Sequence, residues 1–149
     1  MKYIIARGEE EDANVLRWHP ESQIMVEMKP EQFLNLTPEL RLMTGNLKMH
    51  VVKYLQKRLI EGLSIDIPFL DVNIKLCEVQ NHEGRHRAYA SKMIGLNKIP
   101  VVIYLREGFK YINKKDIDVF KICKRIKSQK CSIRSYYNYE KIDTFLMIK

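Results

Sequence analysis

Glu78-Val79-Gln80-Asn81-His82-Glu83-Gly84-Arg85-His86-Arg87-Ala88-Tyr89-Ala90-Ser91-Lys92-Met93-Ile94-Gly95-Leu96-Asn97-Lys98-Ile99-Pro100-Val101-Val102-Ile103-Tyr104-Leu105 carries the strongest structural signals in this chain. A short extended run over 76–80 is expected to end in a polar turn, Asn81-His82-Glu83-Gly84. Residues 85–94 read as a helix, closed by Gly95 as the residue after its C-cap and Leu96 as the hydrophobic partner. Residues 99–105 read as a buried strand, with Pro100 at the tolerated start. The order is strand, tight turn, helix, strand.

A glycine at such a turn reaches backbone angles closed to other residues and lets a ligand approach the main chain. The first-turn N–H groups of the following helix point outward beside Arg85 and Arg87. Oriented amides, a favourable helix dipole and guanidinium forks together make an anion site. At about 100° per residue, Tyr89, Ala90, Met93 and Ile94 share one stripe with His86, and the two arginines lie roughly 200° apart on its flanks. The plainer reading makes Arg85 and Arg87 solvated surface charges and His86 a packed first-turn histidine. Pattern alone leaves both open.

Gly84-Arg85-His86-Arg87-Ala88-Tyr89-Ala90, with Gly95 and Ile99-Pro100-Val101 behind it, resembles the signature of the ParB/sulfiredoxin superfamily. There a glycine turn with a basic pair opens a helix and binds nucleotide phosphates. The longer string His82-Glu83-Gly84-Arg85-His86-Arg87-Ala88 is similar to that of stand-alone ParB-like domains. The resemblance implies an α/β (mixed α+β) single domain, a small mixed sheet with helices, and phosphate or nucleotide binding by Gly84, Arg85, His86 and Arg87. The implied ligand is a nucleotide (ATP, ADP or CTP), with Mg2+ arriving alongside it.

The rest of the chain agrees in order. Residues 22–28 read as a strand, Pro30 suits a first helical turn, and Lys29-Pro30-Glu31-Gln32-Phe33-Leu34 resembles the N-terminal segment of ParB-like domains. Residues 2–7 read as a further strand, followed by the acidic turn Glu9-Glu10-Glu11-Asp12. Over 47–61, Val51, Val52, Leu55 and Leu59 recur at helical spacing, with Leu63 continuing the pattern, Asn46 available as cap and Gly62 as stop. Its other face, Lys48, Lys53, Gln56, Lys57 and Glu61, reads as solvated. Residues 65–72 lead into a strand, and 74–80 give another. The resemblance covers about 22–106, leaving 107–149 as a basic extension in the same domain.

With 149 residues the chain is one domain with room for a real core. No apolar run approaches the ~20 residues that span a bilayer, and the start of the chain does not read as a signal peptide, so a cytoplasmic protein with no membrane partner is expected. Cys77, Cys123 and Cys131 are odd in number and lack zinc spacing, which reads as reduced structural thiols. The +8 formal charge is uneven: 110–149 hold eleven Lys/Arg against four Asp/Glu. A helix over 113–127 is expected to show Lys121, Lys124, Arg125 and Lys127 beside Val119, Phe120, Cys123 and Ile126. A terminal strand pair follows, with Arg134 among Tyr136, Tyr137 and Tyr139. Basic residues interleaved with tyrosines suit a nucleic-acid backbone and its bases. A solvated helix and tyrosines packed at a sheet edge fit the pattern as well.

Departures from the family narrow the chemistry. Sulfiredoxins carry a cysteine where this chain has Arg85, so that reaction is not expected. CTP-hydrolysing ParB proteins have glutamate at that position and arginine at that of Tyr89. The 43 residues after position 106 are too few for a DNA-reading module and a dimerisation tail, so a complete partition factor is not expected. Two classes remain. One is a phosphoester hydrolase, NTPase or nuclease, with Glu83 or His86 as acid/base and, as the resemblance implies, Glu27 approaching as a carboxylate from the neighbouring strand. The other is a non-catalytic module that senses a nucleotide or holds nucleic acid.

Overall fold

The computed structural model describes residues 19–37, 47–63, 65–128 and 146–148. The strand expected at 2–7, the acidic turn, Asn46, Cys131 and the tyrosine-rich segment with Arg134 lie outside these residues.

The elements in order are β1 (Gln23–Met28), α1 (Pro30–Leu36), α2 (Met49–Ile60), β2 (Phe69–Asn73), β3 (Glu78–Glu83), α3 (Arg85–Met93), β4 (Ile99–Glu107), β5 (Lys110–Tyr111), α4 (Val119–Cys123), β6 (Lys127–Ser128) and β7 (Leu146–Ile148). The fold is mixed α+β, with one sheet in the order β6-β3-β2-β4-β1-β7 and β5 added beside β4. β2–β4 and β3–β6 pair in parallel, and the remaining pairs are antiparallel. The segment after 106 thus supplies β5, β6 and β7 to the same sheet.

β4 sits between β1 and β2, and residues 99–105 are buried throughout. That explains its continuous apolar run, since a strand covered on both faces has no polar side to present. Val102 donates its N–H to Pro68 O on the β2 side (2.9 Å). Two residues earlier, Pro100 turns its nitrogen the same way, before β2 begins opposite Val102. Its missing N–H therefore costs no ladder bond.

One sheet face carries Ile24, Val26, Leu70, Val72, Val101 and Ile103 into the main core, where Phe33 of α1 and Ala88 of α3 meet them. The other face carries Val102 and Tyr104, packed with Ile67, Met25, Phe69 and Tyr111. Asp71, buried on this face, accepts from Arg106 Nη1 at 3.0 Å. The Arg106 guanidinium also lies 4.9 Å over the Tyr111 ring.

Three expectations are corrected. The polar run Asn81-His82-Glu83 is strand rather than turn: Asn81, His82 and Glu83 pair with Asp71, Leu70 and Phe69. The actual turn is at 74–77, where Asn73 Oδ1 accepts from the N–H groups of Lys75 and Leu76 and Cys77 takes a left-handed φ of 53°. The helix expected over 113–127 is a 3-10 turn at Lys114–Asp116 followed by the short α4. Asp118 restarts it by accepting from the Lys121 N–H, and the chain after it is drawn into β6. On α3, Ala88, Ala90 and Ser91 are buried while Met93 is exposed. The helix lies between α1 and α2, so its small residues take the close contacts.

The helix ends follow the sequence closely. Gly95 (φ 85°) donates to Lys92 O and Leu96 to Ser91 O, both at 3.0 Å. Gly62 (φ 74°) and Leu63 close α2 in the same way on Leu59 O and Arg58 O. In each case a left-handed glycine satisfies the orphan carbonyls of the last turn.

Candidate anion site at the α2–α3 junction

Gly84 is the N-cap of α3, at φ 114°. A Cβ placed there would fall 2.6 Å from Pro68 Cβ and 2.8 Å from Pro68 Cα. The glycine is therefore required twice, for its backbone angle and for the close passage of the Pro68 segment. No cap side chain bonds the first turn of α3, and no acid stands in that turn.

The three side chains that follow diverge. Arg87 turns beneath the helix, with its side chain 14% exposed. Its Nη1 donates to Ile67 O and its Nη2 to Glu83 Oε1, each at 3.3 Å. Burial lowers its pKa, offset by the carboxylates of Glu83 and Asp66, and an arginine remains charged in such a setting. Arg87 lines a cleft with Ile67, Pro68, Ser91 and Pro100. It braces the turn against the Ile67–Pro68 segment.

His86 points to α2, and its Nε2 accepts the Lys48 main-chain N–H at 3.0 Å. An accepting Nε2 places the ring proton on Nδ1 and makes the imidazole neutral. Its pKa is lowered first by burial, then by the positive charges of Arg85, Lys48 and His50. Lys48 is the N-cap of α2, so this bond ties the start of one helix to the start of the other. Behind it, Ala90 of α3 meets Val52 and Leu47. Val52 and Leu59, both buried, each contribute about 2 kcal/mol to holding α2 in place.

Two positive helix ends therefore meet, and neither helix has an acid in its first turn. Arg85 and Lys48 add further positive charge there, with His50 beside them. This runs against the usual preference, worth roughly 0.3–1 kcal/mol per charge, for acids at helix N-termini. The sequence reading named Arg85 and His86 but missed Lys48 and His50. Its available signal was the basic stretch Lys48-Met49-His50 opening a helix.

The other candidates stand apart. Glu83 ends β3 and is engaged by Arg87, whereas His86 is engaged by α2. Glu27 lies opposite Pro100 in the β1–β4 register, on the sheet face away from the main core. Lys121, Lys124 and Arg125 are exposed on and just after α4. Lys127 Nζ lies 3.8 Å from Glu78. Because β6 pairs with the first residues of β3, this basic group sits at the end of β3 opposite Gly84, roughly 17–20 Å away for a six-residue strand. One small ligand cannot touch both. Among the described residues, no group of three or more His, Cys, Asp and Glu side chains is placed to hold a metal ion, and no helix is long and apolar enough to cross a membrane.

No protein-family model, curated protein or solved structure matches the chain.

Proposed function

We propose that this chain is a ParB-like domain that binds the phosphates of a nucleotide at the α2–α3 junction, without turning the nucleotide over. The observation that carries the reading is the meeting of two acid-free helix N-termini, tied by the Lys48–His86 bond and surrounded by Arg85, Lys48 and His50. An anion seated there relieves the mutual repulsion of these groups and satisfies outward-pointing amides. Arg85 and Lys48 supply the charge. His86 positions α2, and Arg87 holds the Gly84 turn in shape. The nucleotide identity, ATP, ADP or CTP with Mg2+, rests on the resemblance of residues 82–90 to the ParB signature.

Binding is favoured over hydrolysis because both acid/base candidates have structural work. The His86 Nε2 is occupied by a main-chain amide. Glu83 is paired with Arg87 rather than with His86. Calorimetric titration of the full chain with ATP, ADP, CTP and GTP plus magnesium tests this, with Arg85→Ala and Lys48→Ala alongside. Wild type is expected to bind, and Arg85→Ala to bind about tenfold or more weakly, since a charge-assisted hydrogen bond is worth roughly 1.5–3 kcal/mol. No hydrolysis product should accumulate. Absence of binding, or affinity unchanged in both variants, contradicts the proposal.

A further inference from the structure

Between positions 47 and 63 the chain has four Lys/Arg (Lys48, Lys53, Lys57, Arg58) and His50, against one acid, Glu61. α2 spends its apolar side, Val52 and Leu59, on burial. At 100° per residue, His50, Lys53, Tyr54 and Lys57 share an arc of about 100° on the other side. All four are exposed. His50, Lys53 and Lys57 follow one another at intervals of about 4.5–6 Å along the axis. Glu61 lies 3.9 Å from Lys57 at the far end, in an exposed pair of little strength.

Tyr54 stands within this strip, 59% exposed, with the Arg58 guanidinium 5.9 Å from its ring centre. An exposed ring among regularly spaced cations is the arrangement that single-stranded nucleic acid uses, with phosphates on the cations and a base stacked on the ring. A membrane surface would need a broad apolar face beside the cations; α2 buries Val52 and Leu59 against the fold, and its exposed aliphatic side chains, Ile60 and the following Leu63, are too few to form one. An acidic peptide would leave the ring unused. The strip begins at His50, two residues beyond Lys48, whose main-chain N–H is held by His86 at the junction with Arg85.

We infer that the exposed face of α2 is a track for a single-stranded nucleic acid, with phosphates on Lys53 and Lys57, a base on Tyr54, and one phosphate delivered to the α2–α3 junction. This rests on the phosphate reading of that junction and extends its ligand from a nucleotide to a strand.

The test is fluorescence anisotropy of the full chain with labelled oligo(dT) and oligo(U) of about 12 nucleotides, over a range of salt. The proteins compared are wild type, Lys53→Glu/Lys57→Glu, Tyr54→Ala and Lys121→Glu/Lys124→Glu. Wild type should bind at least one strand at low salt, and any preference between the two identifies the sugar that is read. Lys53→Glu/Lys57→Glu should weaken binding tenfold or more and flatten the salt dependence by about one to two counterions. Tyr54→Ala should weaken it about fivefold or more. Binding that is absent in wild type, unchanged in the α2 variants, lost only in the α4 variant, or tighter for duplex than for single strand overturns the inference. Mononucleotide titration of Lys53→Glu/Lys57→Glu separates the two readings. Retained mononucleotide binding with strand binding unchanged from wild type fails the track alone. Strand binding that depends on α2 without any mononucleotide binding by wild type fails the junction alone.

Discussion

Gly84 and Gly95 both take left-handed angles, yet they differ in what surrounds them. Nothing lies within 4 Å of a Cβ at Gly95, whereas Gly84 faces Pro68 main chain and ring at 2.6–2.8 Å. Gly95→Ala should therefore cost only the conformational term, about 1 kcal/mol. Gly84→Ala adds a backbone clash and should cost clearly more, about 3 kcal/mol; urea unfolding of the two variants checks the order. His86 gives a pH prediction. Its folded pKa is below its unfolded value of about 6.5, so the unfolded chain binds the proton more readily. The resulting penalty is absent well above pH 6.5 and grows as pH falls through that value toward the folded pKa. His86→Gln keeps an acceptor for the Lys48 amide but does not titrate. Its urea midpoint should fall less than that of wild type between pH 7.5 and 5.5. The turn role of both glycines was legible in the sequence because it depends on adjacent residues, whereas the close passage of Pro68 at Gly84, sixteen positions away, was not. The destinations of Arg87 and His86 were not, since they depend on Ile67 and Lys48, twenty and thirty-eight positions away.

Among the elements, α2, α3, β1 and β4 were readable from periodicity, caps and the unbroken apolar run of β4. β3 and α4 were not. Asn81-His82-Glu83 looks like a turn by composition, but pairing with β2 extends the strand to the glycine. The amphipathic run over 113–127 has helical spacing, but the pull of β3 on Lys127 and Ser128 ends it early. Asp71 also went unnoticed, a carboxylate buried mid-strand beside Arg106. Its charge, after burial and with Tyr111, helps to raise the pKa of the Tyr104 hydroxyl. Removing it leaves the Arg106 charge beside the sheet without its carboxylate. Asp71→Ala should cost about 3 kcal/mol, at the low end for a broken buried pair because Arg106 is partly exposed. Thermal or urea unfolding reads the loss directly.

Across the whole molecule, mixed α+β architecture followed from the sequence, but the sheet order did not. Nothing local indicates that β7 pairs with β1 or that β6 reaches β3. The same holds for charge. Along the chain the basic excess belongs to 110–149, yet folding brings Arg85, Lys48 and His50 around His86 elsewhere, where α2 and α3 begin. The His86–Lys48 hydrogen bond joins the starts of the two helices at that junction. The most direct test of its role is an NMR titration of the uniformly 15N-labelled chain with a nucleotide and magnesium. The account predicts amide shifts concentrated at 48–50 and 84–88, absent in Arg85→Ala. Shifts confined to the Arg87 cleft or the α4 region, or no shifts at all, would contradict it.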